Sequence, residues 1–185
     1  MSIRNSTKYA FANALKTLLN TKALSKIRVT DLCALCGTER PTFYYHFRDK
    51  YDLIIWIYEQ DYRHAVESTV GQHYVRQIEQ LLLTMQKERG FYRKVLADST
   101  QNALLPYIRQ TIVDIVKDSL KSVRTIESSS EELEFTINFL SHAWNGCLMD
   151  WIWEKYDLSA AQYAQIAYRS ALRLVLPKDT EEAAE

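Results

Sequence analysis

The chain has 185 residues, 47% of them apolar, with four glycines, three prolines and a formal net charge of zero. That is ample apolar material for a core, and too few turn formers, with no alternating Val/Thr runs, for a sheet protein, so an all-α fold is expected. The neutral total hides an asymmetry: residues 1–50 carry nine Lys or Arg against three Asp or Glu, and residues 51–185 carry fourteen against twenty. A basic head on an acidic body suits a protein that sets one end on a polyanion.

In chain order, the first helix is expected over about Thr7 to Leu19, where Phe11, Leu15, Leu18 and Leu19 recur at helical spacing. Arg4 and Lys8 stand at its exposed start, as phosphate-reaching cations or as ordinary solvated charges. Lys22 to Lys26 reads as a loop. A second helix, about Val29 to Cys36, turns Leu32, Leu35 and Cys36 inward, with Arg28 or Thr30 at its cap. Cys33 and Cys36 lack the second pair that a zinc site needs and read as core cysteines; no metal site is expected. Gly37 ends this helix, as a residue tolerant of positive φ does.

A short third helix follows, with Pro41 in its first turn, where a missing N–H costs nothing. Phe43 and Phe47 share its inward face, while Arg40, Thr42, Tyr44, Tyr45 and His46 crowd the other. A core does not accept that polar face. A DNA groove does, because arginine reads guanine bidentately and hydroxyls bind phosphate. Asp49 caps a fourth helix, with Asp52 three residues on as in a capping box; Leu53, Ile54, Ile57 and Tyr58 pack inward, and the helix runs to about Ser68.

The string Gly37-Thr-Glu-Arg40-Pro-Thr42-Phe-Tyr-Tyr-His-Phe47-Arg-Asp-Lys50-Tyr-Asp-Leu53 resembles the DNA-binding head of TetR-type transcriptional regulators. The similarity reaches back through Asp31-Leu32-Cys33 to the first helix, about a third of the chain. The wording from Phe43 to Leu53 is most similar to a Firmicute-type subgroup that includes dihydroxyacetone-kinase operon regulators. The resemblance implies that Lys50 and the start of the fourth helix grip a phosphate, and that movement of this helix changes the spacing of two heads in a dimer. Glu39 stands where the family usually has a capping Ser, and Pro41 where it has Gly or Ala. Thr38 is then expected to take over the cap, and these two departures leave the operator sequence open while DNA binding is still expected.

The body, residues 51–177, is expected to hold five further helical stretches. Val75, Ile78, Leu82 and Met85 form a stripe ending near Gly90, and Phe91 to Asp98 a short helix. A long helix carrying Ile108, Ile112, Ile115, Val116 and Val123 extends to about Thr125, with Pro106 near its start. Ser128 to Glu132 supply a loop and cap for a helix over Leu133 to about Lys155. That helix is apolar on two sides: Phe135, Phe139 and Gly146 on one, Leu140, Trp144, Cys147, Leu148 and Trp151 on another. Ser159 and Gln162 make a capping box for the last helix, whose Ala160, Ala164, Ala167 and Ala171 allow close approach. The last two helices are the expected dimer interface. Residues 178–185 form an acidic tail, expected to be disordered.

Functional expectations follow. DNA contacts are assigned to Arg28, Thr30, Thr38, Arg40, Pro41, Thr42, Tyr44, Tyr45, His46 and Lys50, with Arg40 and Thr42, joined by Tyr45, on bases and Tyr44, His46 and Lys50 on phosphates. A homodimer would place two heads in successive major grooves of a palindromic operator. Tyr107, Phe139, His142, Trp144, Asn145 and Trp151 are candidates for a small-molecule pocket, or else for core, since aromatics at helical spacing serve both. The family expectation is a repressor released when a body ligand moves the fourth helix. The alternatives are a regulator whose body binds a protein partner, and a helical protein with a vestigial head. No His-Glu-x-x-His, Gly-rich phosphate loop or nucleophile elbow occurs, so neither catalysis nor a cofactor is expected. The longest apolar run, Leu53 to Tyr58, is too short to span a bilayer, and with sparse, odd-numbered cysteines and no signal pattern a cytoplasmic location is expected.

Overall fold

A computed structural model describes residues 3–71, 74–98, 104–122 and 130–175. Among these residues the secondary structure is helical throughout: α1 (Ile3–Leu19), a 3-10 turn (Leu24–Lys26), α2 (Val29–Cys36), α3 (Arg40–His46), α4 (Lys50–Glu67), α5 (Tyr74–Lys87), α6 (Arg89–Leu96), α7 (Leu104–Ser122), α8 (Ser130–Ile152) and α9 (Ala160–Val175). Val123, Thr125, the start of the Ser128 loop and the acidic tail lie outside the described residues. None of the described helices is long and apolar enough to cross a membrane.

The helix ends follow local chemistry. Asp31 Oδ2 accepts the Arg28 N–H at 2.9 Å, so Arg28 holds the cap of α2 and Thr30 lies inside the helix. At the other end Gly37 (φ 60°, ψ 37°) lets Thr38 N–H reach Cys33 O at 3.1 Å and Gly37 N–H reach Ala34 O at 3.4 Å, a Schellman closure. Thr38 is thereby used at the end of α2. The cap of α3 falls to Glu39, whose side chain makes no capping bond. Asp49 Oδ1 accepts from Tyr51 N–H at 2.8 Å and Asp52 N–H at 2.9 Å, and Asp52 Oδ2 accepts from Arg48 N–H. Ser159 and Gln162 exchange backbone-to-side-chain bonds at 2.9 and 3.2 Å, the capping box expected for α9.

Four features differ from expectation. α1 begins earlier, at Ile3, and the Lys22–Lys26 loop contains a helical turn. α5 stops at Lys87 and Gly90 lies inside α6. α8 ends at Ile152, because Glu154 takes φ 60° and closes a second Schellman pattern through Glu154 N–H to Trp151 O and Lys155 N–H to Asp150 O. A left-handed residue with a Cβ costs energy. Arg89 and Arg93 of α6 offset it by both pairing with the Glu154 carboxylate, and Arg93 Nε also donates to Ile152 O at 2.7 Å.

One contiguous hydrophobic cluster runs from the head, through Phe11, Leu15, Leu32 and Phe43, along Leu53, Ile57 and Tyr58 of α4, to Trp151 and Ala164 of the body. α1, α2 and α3 pack on one another and on the start of α4. α4 continues against α5 and α7, α7 pairs with α8, and α9 lies along α5. The buried Ala160 and Ala164 thus serve packing inside the protomer.

Candidate nucleic-acid interface and body cleft

α3 is pinned by one face. The Phe43 ring meets Phe11 at 5.1 Å and Phe47 at 5.7 Å between centroids, and all three are buried. Burying rings of this size contributes about 2–3 kcal/mol each, so the register of α3 on the head is well determined. Its other face meets solvent: Tyr45 is 67% and Tyr44 48% exposed, Arg40 and Pro41 are exposed, and Thr42 and His46 are half-buried. Arg40 Nη2 donates to the Tyr44 hydroxyl at 3.3 Å, with the guanidinium carbon 5.6 Å from the ring centroid. Arg40 is therefore held in a defined direction before any ligand arrives. His46 packs against the Tyr45 and Phe47 rings, at 5.0 and 6.3 Å.

The remaining expected contacts divide. Arg28 and Thr30 are exposed at the start of α2, whereas Thr38 is half-buried in the turn. Lys50 points back into the head: its Nζ donates to Leu24 O at 2.7 Å and Ile27 O at 3.1 Å, with Ser25 O at 3.5 Å. It clasps the 3-10 turn onto α4. Two N–H groups at the start of α4 are likewise taken by Asp49. Arg48, which was not among the expected contacts, has 88% of its side chain exposed beside α3. Its position just past Phe47 was the available signal. Lys8 lies over the Phe47 and Trp56 rings at 5.3 and 5.5 Å.

In the body a cleft of about 670 Å³ opens between α4, α5 and α7, with Glu59, Tyr62 and Arg63 on one wall, Gln77 on another, and Tyr107 and Asp114 on the third. Tyr58, Tyr62, Gln77 and Thr111 also border a narrow apolar throat of about 70 Å³, lined further by Ile78, Leu81, Ile112 and Trp144. Of the six candidate pocket residues, Tyr107 lines the cleft and Trp144 the throat. The other four go elsewhere. Trp151 is buried, donates Nε1–H to Leu158 O at 2.8 Å and carries Arg89 over its ring at 5.5 Å. Asn145 is buried, its Nδ2 donating to Ser141 O at 3.1 Å and its Oδ1 without a partner among the described residues. His142 is exposed, with Nδ1 2.8 Å from Asn138 O and Nε2 3.0 Å from Arg109 Nη1. Because the carbonyl requires a proton on Nδ1, Nε2 is the acceptor for Arg109. Phe139 is 53% exposed and stacks on Phe135, itself 71% exposed. Sequence reasoning missed Glu59, Tyr62, Arg63 and Asp114. The first three share the polar side of α4, which was the only trace of the cleft.

Burial sets the phenols of the cleft. It pushes Tyr107 up to about 12, helped by the hydrogen bond to Glu59, and pushes the buried Tyr58 up as well, so both are neutral at physiological pH.

Comparison with known proteins bears on these features. A TetR-type family model, described as a transcriptional regulator C-terminal region, matches residues 72–172. The HTH-type dhaKLM operon transcriptional activator DhaS of Lactococcus lactis is 31% identical over 91 residues, which is 48% of each protein. The chain thus matches about half the length of that curated relative. The solved structure of a dihydroxyacetone kinase operon activator DhaS aligns over 91% of this chain and 96% of its own, with a TM-score of 0.66 at 19% identity. A TetR transcriptional regulator from Streptococcus agalactiae aligns over 94% of this chain and 96% of its own, with a TM-score of 0.67 at 20% identity. These two structures share the fold.

Proposed function

This chain belongs to the TetR family of transcriptional regulators, which are DNA-binding dimers and not enzymes, and on that premise we propose that it reads a palindromic operator as a homodimer under control of an effector in the α4–α5–α7 cleft. The observation that carries the DNA-reading role is the two-faced α3: Phe43 and Phe47 buried, Arg40, Tyr44 and Tyr45 presented to solvent. In this reading Arg40 reads a base with Thr42 and Tyr45 beside it. Arg28, Thr30, Arg48 and His46 supply phosphate contacts, and Lys50 holds the frame. The exposed apolar face of α8 and α9, with Phe135, Phe139 and Ile166 (50% exposed), is the surface for the second copy. Head (1–50) and body (51–177) are coupled because α4 is both the last support of the head and a wall of the cleft.

An effector that wedges α4 away from α7 would re-space the two heads and release the operator, which makes the protein a ligand-released repressor. A second reading, an activator whose body engages a protein partner, is favoured by the name of the Lactococcus relative, which is called an activator. The first test is selection of bound sites from a random duplex pool by the purified protein at near-physiological salt. An enriched palindrome supports the dimeric operator reader, and salt-sensitive binding with no enrichment overturns it. A reporter placed behind the selected site then separates the signs of regulation: output falls for a repressor and rises for an activator.

A further inference from the structure

Glu59 stands half-buried in the wall of the cleft, and its partner is the Tyr107 hydroxyl, which donates to Oε1 at 2.5 Å. Its second carboxylate oxygen has no partner among the described residues. Arg63 lies four residues on along α4 and borders the same cleft, a spacing at which ion pairs often form, yet the two do not pair. Around this carboxylate stand three tyrosines: Tyr58 and Tyr62 stack at 6.4 Å with planes 16° apart, and Tyr107 meets Tyr58 edge-on at 6.0 Å. Neutral phenol rings present negative faces, which attract cations most strongly where water is partly excluded. Asp114 adds a second carboxylate on the α7 wall, accepting from Gln110 at 3.0 Å. The throat that shares Tyr58 and Tyr62 is apolar and slender.

We propose that the cleft binds an organic cation with a slim apolar tail, its ammonium or amidinium group on Glu59 among the tyrosine rings and its tail in the throat beside Trp144. This rests on the reading of the cleft as the effector site and names the ligand class for it. An anionic ligand would face two carboxylates against one guanidinium. A neutral polyol would leave the throat unfilled and the free carboxylate oxygen unpaired. The seat also explains how occupancy reaches the head. Glu59 is on α4 and Tyr107 on α7, so a cation on the free oxygen strains or tightens the hydrogen bond by which these two side chains join the helices.

The test is titration calorimetry of the full-length protein with three probes of equal length, hexylammonium, hexanol and hexanoate. The cation is expected to bind about tenfold or more tightly than either of the others, the equivalent of one charge-assisted contact. Glu59→Gln keeps an acceptor for Tyr107 and so keeps the fold, and it should bring the three affinities together. Tyr107→Phe retains the carboxylate and should keep the preference for the cation. Equal binding of hexanol or hexanoate, an undiminished cation preference in E59Q, or no binding of any probe overturns the proposal. Operator selection on the same preparation reports the regulator reading separately. An enriched palindrome without cation preference overturns this inference alone, and cation preference without any selected DNA overturns the DNA-reading role alone.

Discussion

Arg40 opens α3 and Lys50 opens α4, and their surroundings give the two cations different work. The Arg40 guanidinium is exposed, steered by the Tyr44 hydroxyl and ring, and free to present its outer edge to a base. Arg40→Ala should therefore cost about 1–3 kcal/mol on the selected operator and relax preference at one base pair, read from binding across single-base operator variants. Tyr44→Phe keeps the ring and removes the steering hydroxyl. It should lose about 1 kcal/mol on the operator with the base preference intact. A Tyr44→Phe variant that loses the preference as fully as Arg40→Ala would show the tyrosine itself to be the reader. Lys50 spends its protons on carbonyls of the loop between α1 and α2. Lys50→Met should lower stability by about 2 kcal/mol in urea denaturation, the scale of charged hydrogen bonds lost. Unchanged stability with a flattened salt dependence of DNA binding would mark Lys50 as a phosphate contact instead.

At the scale of elements, α6 is the short helix that touches both parts of the molecule. Its buried Tyr92 donates to the Asp61 carboxylate of α4, and burial, more than any neighbour, pushes the Asp61 carboxyl above its ordinary value. A carboxyl so raised keeps its proton to higher pH in the fold than in the unfolded chain. Its contribution to stability is complete below the ordinary carboxylate range and is lost as pH rises through the raised value. Asp61→Asn stays neutral and still accepts from Tyr92. It should melt higher than the parent at pH 8, by up to about 1 kcal/mol, and show no such gain near pH 4. An equal shift at both pH values would argue against a buried charge at this position. The caps of α4 and α9 were legible in the sequence because Asp49 with Asp52 and Ser159 with Gln162 act within one turn of chain. Gly37 was legible for the same reason. The end of α8 was not. No glycine or proline marks it, and the left-handed Glu154 is held by two arginines about sixty residues earlier in the chain.

On the scale of the whole molecule, the exposed Phe135–Phe139 stack and Ile166 define one side of α8 and α9 as unfinished. Phe139→Asp should leave the fold intact, since that side chain is already half exposed, and convert the dimer to monomer in sedimentation, with operator affinity falling sharply because two half-sites are no longer read together. A dimeric Phe139→Asp protein would move the interface elsewhere. The pocket was the least legible feature for a related reason. Aromatic spacing tells which residues share a helix face but not which helix that face meets: Trp144 came to the throat, Trp151 to the core and Phe139 to the surface, though all three lie on α8.

The Glu154 corner has a mechanical consequence. The helix whose arginines hold that corner also reaches forward, where Lys94 Nζ donates to Leu19 O at the end of α1, Glu88 at its start pairs with Lys16, and Tyr92 holds Asp61. α6 is thus a crossbar bolted along its length both to the turn between the proposed dimerisation helices and to the head. A frame braced in this way does not swing freely at a joint. With α8 and α9 as the proposed dimer interface, displacement of the head would twist the bar, and the twist would arrive at α8 beside the subunit boundary, so that each protomer would feel the angle at which its partner's head is set.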